Sequence, residues 1–205
     1  VAKICYEEGV LVFSDEIHAD LTLPPHKHRP FAMVSEKARM NSVTFMSPSK
    51  AFNMPGLTAS HALIFNPKLR RKFHTYLESS ELDLGHVFAF LAVEAAYSHG
   101  TEWLDQCLAY IQGNIDYVDE FTKQHTPKIK VIRPQASFLV WLDCREMGLS
   151  QDALNDFFVD KAHLALNNGV AFGEEGEGFM RLNVASPRSV LEQAMKQLAD
   201  AYVKL

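Results

Sequence analysis

The stretch Ser47-Pro48-Ser49-Lys50-Ala51-Phe52-Asn53-Met54-Pro55-Gly56 sets a lysine among small and turn-forming residues, directly after the apolar run of residues 43–46. A short apolar run bounded by turn formers reads as a strand. A lysine just past its carboxyl end sits where open α/β sheets bind ligands, in the crevice outside the strand ends. Ser47 and Ser49 flank it with hydroxyls that suit an anionic group. From this stretch alone two readings stay open, a ligand-bearing Lys50 and a solvated loop lysine.

Working outward, residues 10–21 read VLVFSDEIHADL. Four consecutive apolar residues, three of them Val or Leu, predict a strand buried on both faces, as parallel sheets require. Asp15 follows at its end, 35 residues before Lys50, with His18 three residues on. Asp15 either caps a turn or, with His18, holds a heterocycle, the acid facing a ring nitrogen and the imidazole a ring oxygen. Near the other end of the chain, residues 179–184 read FMRLNV. Strand alternation puts Arg181 and Asn183 on one face and Met180, Leu182 and Val184 on the other. An arginine so placed offers a carboxylate two parallel hydrogen bonds, unless it is a plain surface residue.

Three motifs in this order, SDEIHADL, SPSKAFNMPGLTAS and GFMRLNVASPR, resemble the fold-type I pyridoxal phosphate (PLP) enzymes of the class I/II aminotransferase superfamily. With the strings TEWLD and FGEEGEGF, the nearer resemblance is to the carbon-sulfur β-lyases of the MalY/PatB, cystathionine β-lyase-like group. The resemblance runs through all 205 residues, and such enzymes are about twice as long. It implies an α/β fold: residues 1–108 as the C-terminal part of an aspartate aminotransferase-like, PLP-binding large domain, and residues 109–205 as a small α+β C-terminal domain.

The resemblance also assigns roles. Lys50 is the tether for PLP and, once the substrate amine displaces it, the base that takes the Cα proton. Asp15 keeps the pyridine nitrogen protonated, His18 lies near the ring oxygen, and Ser47 and Ser49 lie near the phosphate. Arg181 grips the α-carboxylate of an amino-acid substrate, while Arg188 reads as a structural decoy. Many aminotransferases of the superfamily place an arginine eight residues after the lysine as a phosphate clamp, but that position here is Thr58, which favours the lyase branch. The implied reaction is β-elimination from cystathionine or a related cysteine thioether to thiol, pyruvate and ammonia. An aminotransferase is the runner-up, and a non-catalytic binding or regulatory protein is the rival from another class. The glycine-rich phosphate loop and the ring-stacking aromatic belong to the half not represented, so this chain alone is expected to bind PLP weakly or not at all and to be inactive. A homodimer is expected of the full-length form.

Composition agrees with a globular chain: 47% hydrophobic, 22% charged, enough for one or two cores. A net charge of −5 and pI near 6 supply no basic field for nucleic acid. No run approaches the roughly 20 apolar residues of a membrane span. Cys5, Cys107 and Cys144 lie far apart in apolar segments and read as reduced thiols of a cytoplasmic protein. The chain begins at Val1 without a signal-peptide pattern, which predicts a piece of a longer protein.

In order, Gly9 ends a short helix, 10–13 form the first strand, and LPPHKHRP (23–30) is a loop whose His26 and His28 read as solvated rather than metal-bound. Strands are predicted at 42–46 and 60–65, and Asn66-Pro67 opens a helix whose basic run, 68–72, is a solvated face. Residues 84–97 are helical, with Val87, Leu91 and Ala95 on one side, ended by Gly100. From Thr101 an apolar stripe at spacings of three and four predicts a helix of more than five turns, with Trp103, Tyr110 and Tyr117 as packing residues. Strands follow at 131–132, 137–142, 164–172 and 179–185, with a helix at 151–158. Ser186-Pro187 is expected to cap a closing helix carrying Leu191, Met195 or Ala194, Leu198 and Tyr202.

Overall fold

β-branched and aromatic residues build the first sheet. In the computed structural model, which describes residues 1–82 and 84–205, β1 (Val12–Asp15), β2 (Ser42–Met46) and β3 (His61–Leu63) form a sheet in that order. β1 and β2 pair in parallel, with Asp15 opposite Phe45, and β3 returns antiparallel, with His61 opposite Met46. The carboxyl ends of β1 and β2 and the amino end of β3 therefore share one edge. Val43 of β2 is fully buried, as are Ser42 and Thr44 beside it.

The remainder of this unit, Val1–Gln106, is helices and loops. α1 (Ala2–Glu7) ends ahead of Gly9, whose φ of +67° is the left-handed conformation that glycine adopts without strain. α2 (Glu36–Met40) precedes β2 and α3 (Pro48–Ala51) follows it directly. α4 (Pro67–Ser79) is capped by Asn66, whose Oδ1 accepts from the backbone N–H groups of Lys68 and Leu69, with Pro67 pre-set in its first turn. Its basic run is exposed, as expected. α5 (Val87–His99) is apolar all round, and Val87, Phe88, Phe90 and Leu91 stand exposed, so the predicted one-sided stripe is absent.

The first strand differs from expectation in two ways. It starts at Val12 rather than Val10, because the Val10 N–H is taken by the Cys5 carbonyl as α1 closes and the Val10 carbonyl accepts from Asn41. It is also not buried on both faces: β1 is an edge strand, and Phe13 is 61% exposed, its ring stacked on Phe45 at 6.0 Å.

The division into units falls within α6 (Thr101–His125), the 25-residue helix that the apolar spacing predicts. The second unit, Cys107–Leu205, holds an antiparallel sheet ordered β4 (Lys130–Ile132), β5 (Leu139–Asp143), β7 (Phe179–Asn183), β6 (Asn167–Asn168). α7 (Gln151–Asp156) runs into a wider turn, Phe157–Lys161, and α8 (Arg188–Tyr202) closes the chain. Ile111, Ile115 and Val118 of α6, Val140 and Leu142 of β5, Met180 and Leu182 of β7, and Leu191, Met195 and Leu198 of α8 supply the core.

Two expectations fail here for identifiable reasons. The strand predicted at 164–172 shrinks to two residues, because Asn168 turns its Oδ1 onto the Val170 N–H and starts a tight turn over Gly169–Phe172. Gly169 then meets Gly176 backbone to backbone: a Cβ on Gly169 would lie 2.2 Å from the Gly176 carbonyl oxygen. Ser186 does not cap α8; Pro187 holds the N-cap position, and the Arg188 N–H donates to the Tyr110 hydroxyl at 2.6 Å. Among the described residues no helix is long and apolar enough to cross a membrane.

Candidate functional site

The shared edge of the first sheet collects five of the six residues singled out from the sequence. Asp15 ends β1, exposed, and its Oδ1 accepts from the Ile17 N–H at 3.2 Å, so it shapes the turn that leads to His18. His18 caps the following short turn, Ala19–Leu21. Across the parallel pair, β2 passes into α3 through Ser47. The Ser47 hydroxyl accepts from the Ser49 N–H at 3.1 Å and lies 2.5 Å from the Ala59 carbonyl and 2.8 Å from Ser49 Oγ. A carbonyl only accepts, so the Ser47 proton goes to Ala59 and the Ser49 hydroxyl donates to Ser47. Ser47 is buried and clasps the turn, while Lys50, one residue past Ser49, is exposed on α3. The turn after it holds two non-glycine residues in the left-handed region, Asn53 at φ +50° and Thr58 at φ +47°.

Two supporting residues escaped the sequence reading. Glu16, not Asp15, turns inward: it is 7% exposed and accepts from Ser14 Oγ at 2.8 Å, the Phe31 N–H at 2.9 Å and His28 Nε2 at 2.7 Å. Since a carboxylate can only accept, His28 carries its proton on Nε2 in this contact. Burial pushes the Glu16 carboxyl upward, but the hydrogen bonds from His28, Phe31 and Ser14 outweigh it and hold the carboxyl below its ordinary range. His28 thus ties the 23–30 loop to the end of β1, where a merely solvated histidine was expected. Among the described residues no group of three or more His, Cys, Asp or Glu side chains is arranged to hold a metal ion.

Tyr97 on α5 is the second. Its hydroxyl donates to Asp20 at 3.4 Å, and its ring packs against His61 at 6.0 Å and Phe52 at 5.9 Å. Burial and the Asp20 carboxylate push its phenol up to about 12. One side chain thereby touches the loop after His18, the turn after Lys50 and the start of β3. Trp103, expected in the core, is 47% exposed but stacks on Phe52 at 6.0 Å. Its signal in the sequence was only a helical spacing.

Arg181, the sixth residue, belongs to the second unit. It projects from β7 opposite Trp141 of β5 and Asn167 of β6. Asn167 Oδ1 accepts from its Nε at 3.3 Å and its Nη2 at 3.0 Å, and the guanidinium lies 4.4 Å from the centre of the Phe172 ring. Arg188 is tied into the fold: its Nε donates to the fully buried Asn114, and its guanidinium covers the Tyr117 ring at 4.8 Å. Tyr110, though 49% exposed, serves the same joint through its hydroxyl. The cysteines are free thiols; Cys144 is buried, which together with the neighbouring Asp143 charge pushes it up to about 12, an inert thiol.

Comparison with known proteins matches both units at once. The chain is 41% identical over 201 residues to cystathionine beta-lyase PatB of Bacillus subtilis (strain 168), covering 98% of this chain and 52% of that protein. It is 35% identical over 202 residues to protein MalY of Escherichia coli (strain K12), covering 98% and 51%. The crystal structure of cystalysin from Treponema denticola, which contains a pyridoxal 5'-phosphate cofactor, superposes with a TM-score of 0.92 at 31% identity, over 99% of this chain and 52% of that one. The chain spans about half the length of the curated relatives it matches. The model of the family described as aminotransferase class I and II matches residues 1–198, nearly the whole sequence and both units: the chain belongs to the aminotransferase class I and II family.

Proposed function

We propose that the protein containing this chain binds PLP and cleaves the carbon-sulfur bond of a cysteine thioether such as cystathionine, releasing a thiol, pyruvate and ammonia. The observation that carries this reading is the parallel β1–β2 register, which brings Asp15 and the Ser47–Lys50 turn out of the sheet at one edge. The donor set fits the cofactor: an exposed carboxylate for a pyridinium N–H, an imidazole for a ring oxygen, the Ser49 hydroxyl, once turned away from Ser47, for a phosphate, and an exposed primary amine for the aldehyde. The 41% identical relative is a cystathionine beta-lyase by name, which supports the substrate class.

When bound, PLP supplies an electron sink for the electron pair left on the substrate Cα. Asp15 accepts the hydrogen bond of the pyridinium nitrogen and keeps its proton in place. Lys50 would hold the cofactor through its primary amine. Its Nζ, as the free amine, would be the group that takes the Cα proton. Arg181 takes the α-carboxylate. Thr58, where many superfamily aminotransferases carry an arginine, supports the lyase over the aminotransferase reading.

The test is borohydride reduction of the complete protein with PLP, followed by peptide mapping, alongside pyruvate release from cystathionine. Cofactor mass is expected on the peptide carrying Lys50. Lys50→Ala should lose the adduct and slow turnover by about 10²–10⁴-fold, the range for removing a positioned general base. An adduct with keto-acid-dependent amino transfer but no pyruvate would replace the lyase by an aminotransferase; no adduct at all would end the enzyme reading.

A further inference from the structure

The second unit contains two arginines held in nearly the same way. Arg145 donates through Nε at 2.9 Å and Nη2 at 2.7 Å to Asp143, and its guanidinium covers the Phe179 ring at 4.8 Å. Arg181 donates through the same two nitrogens to Asn167 and covers Phe172 at 4.4 Å. The aromatic supports are continuous: Trp141 stacks on Phe179 at 5.5 Å and meets Phe172 edge-on at 5.6 Å. What differs is the acceptor. Asp143 brings a negative charge and neutralises Arg145, and the Arg145 guanidinium in turn holds the Asp143 carboxyl below its ordinary range. Asp143 meets the two donors with one oxygen each, whereas Asn167 meets both with its single Oδ1 and brings no charge.

We infer that Asn167 and Phe172 are positioning residues that hold Arg181 for a carboxylate and fix how it is gripped; this rests on the reading of Arg181 as the carboxylate site. A guanidinium has five N–H donors in a rigid fork. Asn167 occupies the side formed by Nε and Nη2. The open pair is the outer end, one N–H from Nη1 and one from Nη2, which are parallel and match the two oxygens of a carboxylate. The ring of Phe172 fixes the plane in which that pair lies. A neutral acceptor leaves the full positive charge for the ligand, which an aspartate at 167 would cancel, as Asp143 cancels Arg145.

The complete, PLP-loaded protein is titrated by calorimetry with 3-(methylthio)propanoate, which has a thioether and a carboxylate but no amine to react, and with 3-(methylthio)propan-1-ol as the uncharged control. Asn167→Asp keeps both hydrogen bonds, yet it is expected to weaken the carboxylate by about 10- to 100-fold, the worth of a charge-assisted contact, and leave the alcohol unchanged. Asn167→Ala and Phe172→Leu, which loosen the fork but keep the charge, should each weaken it by several-fold, and KM for cystathionine should rise more than kcat falls. Asn167 is exposed, so the fold should survive, and the Trp141 fluorescence of each variant checks this. If Arg181→Ala binds the carboxylate as tightly as the wild type, the carboxylate reading of Arg181 fails and the inference with it. If Arg181→Ala loses binding while Asn167→Asp retains it, that reading stands and the inference is overturned. Should the Asp variant not fold, an unchanged affinity in Asn167→Ala overturns it equally.

Discussion

Glu16 has both carboxylate oxygens occupied, by Ser14 and Phe31 on one and by His28 on the other, in a position almost closed to water. A glutamine there would turn an NH2 group toward one of these donors and leave it unpaired. Glu16→Gln is therefore expected to cost about 1–3 kcal/mol, the penalty for a buried donor without an acceptor. The pH dependence follows from the direction of the shift. The folded carboxyl lies below its ordinary 4.5, so its contribution is fully present above that value and is lost as pH falls through the folded value. Denaturant midpoints read from Trp103 in a Trp141→Phe background should fall as pH drops below 4.5 in the parent and fall less in the Gln variant; identical slopes there would remove Glu16 from this role. The sequence made Asp15 the conspicuous acid because it ends the apolar run. Which of two adjacent carboxylates turns inward is decided by a loop that returns 15 residues later to offer the Phe31 N–H, and no local pattern carries that.

Among the elements, the junction of α6, β7 and α8 depends on Asn114. Its Nδ2 donates to the carbonyls of Val184 at 2.8 Å and Ser186 at 3.1 Å, and its Oδ1 accepts from Arg188. One fully buried side chain thus holds the bend between β7 and α8 against α6. Asn114→Ala strands a buried carbonyl and should cost about 2–3 kcal/mol, while Arg188→Ala, at a more open position, should cost about 1 kcal/mol or less. Denaturation followed by Trp141 in a Trp103→Phe background measures both, and equal costs would show that the joint does not run through Asn114. Helix α6 itself was legible, because its apolar spacing persists for many turns, and β2 was legible because turn formers bound it. Asn114 was not, since a polar residue between Ile111 and Ile115 reads as a break in the stripe until the carbonyls it serves are known. The 164–172 strand failed for the opposite reason: its apolar residues fit a strand, but Asn168 and the Gly169–Gly176 approach impose a turn.

Over the whole chain, burial is unevenly shared. Of the twelve largest fully buried side chains among the described residues, ten lie in Cys107–Leu205, and only Leu21 and Val43 lie in Val1–Gln106. The first unit instead exposes Phe13 on β1 and Val87, Phe88, Phe90 and Leu91 on α5. Apolar area removed from water stabilises by about 25 cal/mol per Å², so a unit that leaves this much outside forgoes part of that stabilisation and presents a surface to apolar probes. The 205-residue chain is therefore expected to unfold in two steps. Each unit has its own tryptophan, Trp103 in the first and Trp141 in the second, so single-tryptophan variants read them separately. In guanidinium the Trp103 signal should change at a clearly lower concentration than the Trp141 signal. An apolar dye should bind the native chain, and Phe88→Ser with Phe90→Ser should reduce that binding without moving the Trp141 midpoint. Coincident transitions with one midpoint would mean that the two units fold as a single cooperative body and that the uneven core does not govern stability. A dye signal unchanged by the serine pair would move the exposed apolar surface away from α5, leaving Phe13 at the open edge of β1 as its remaining source.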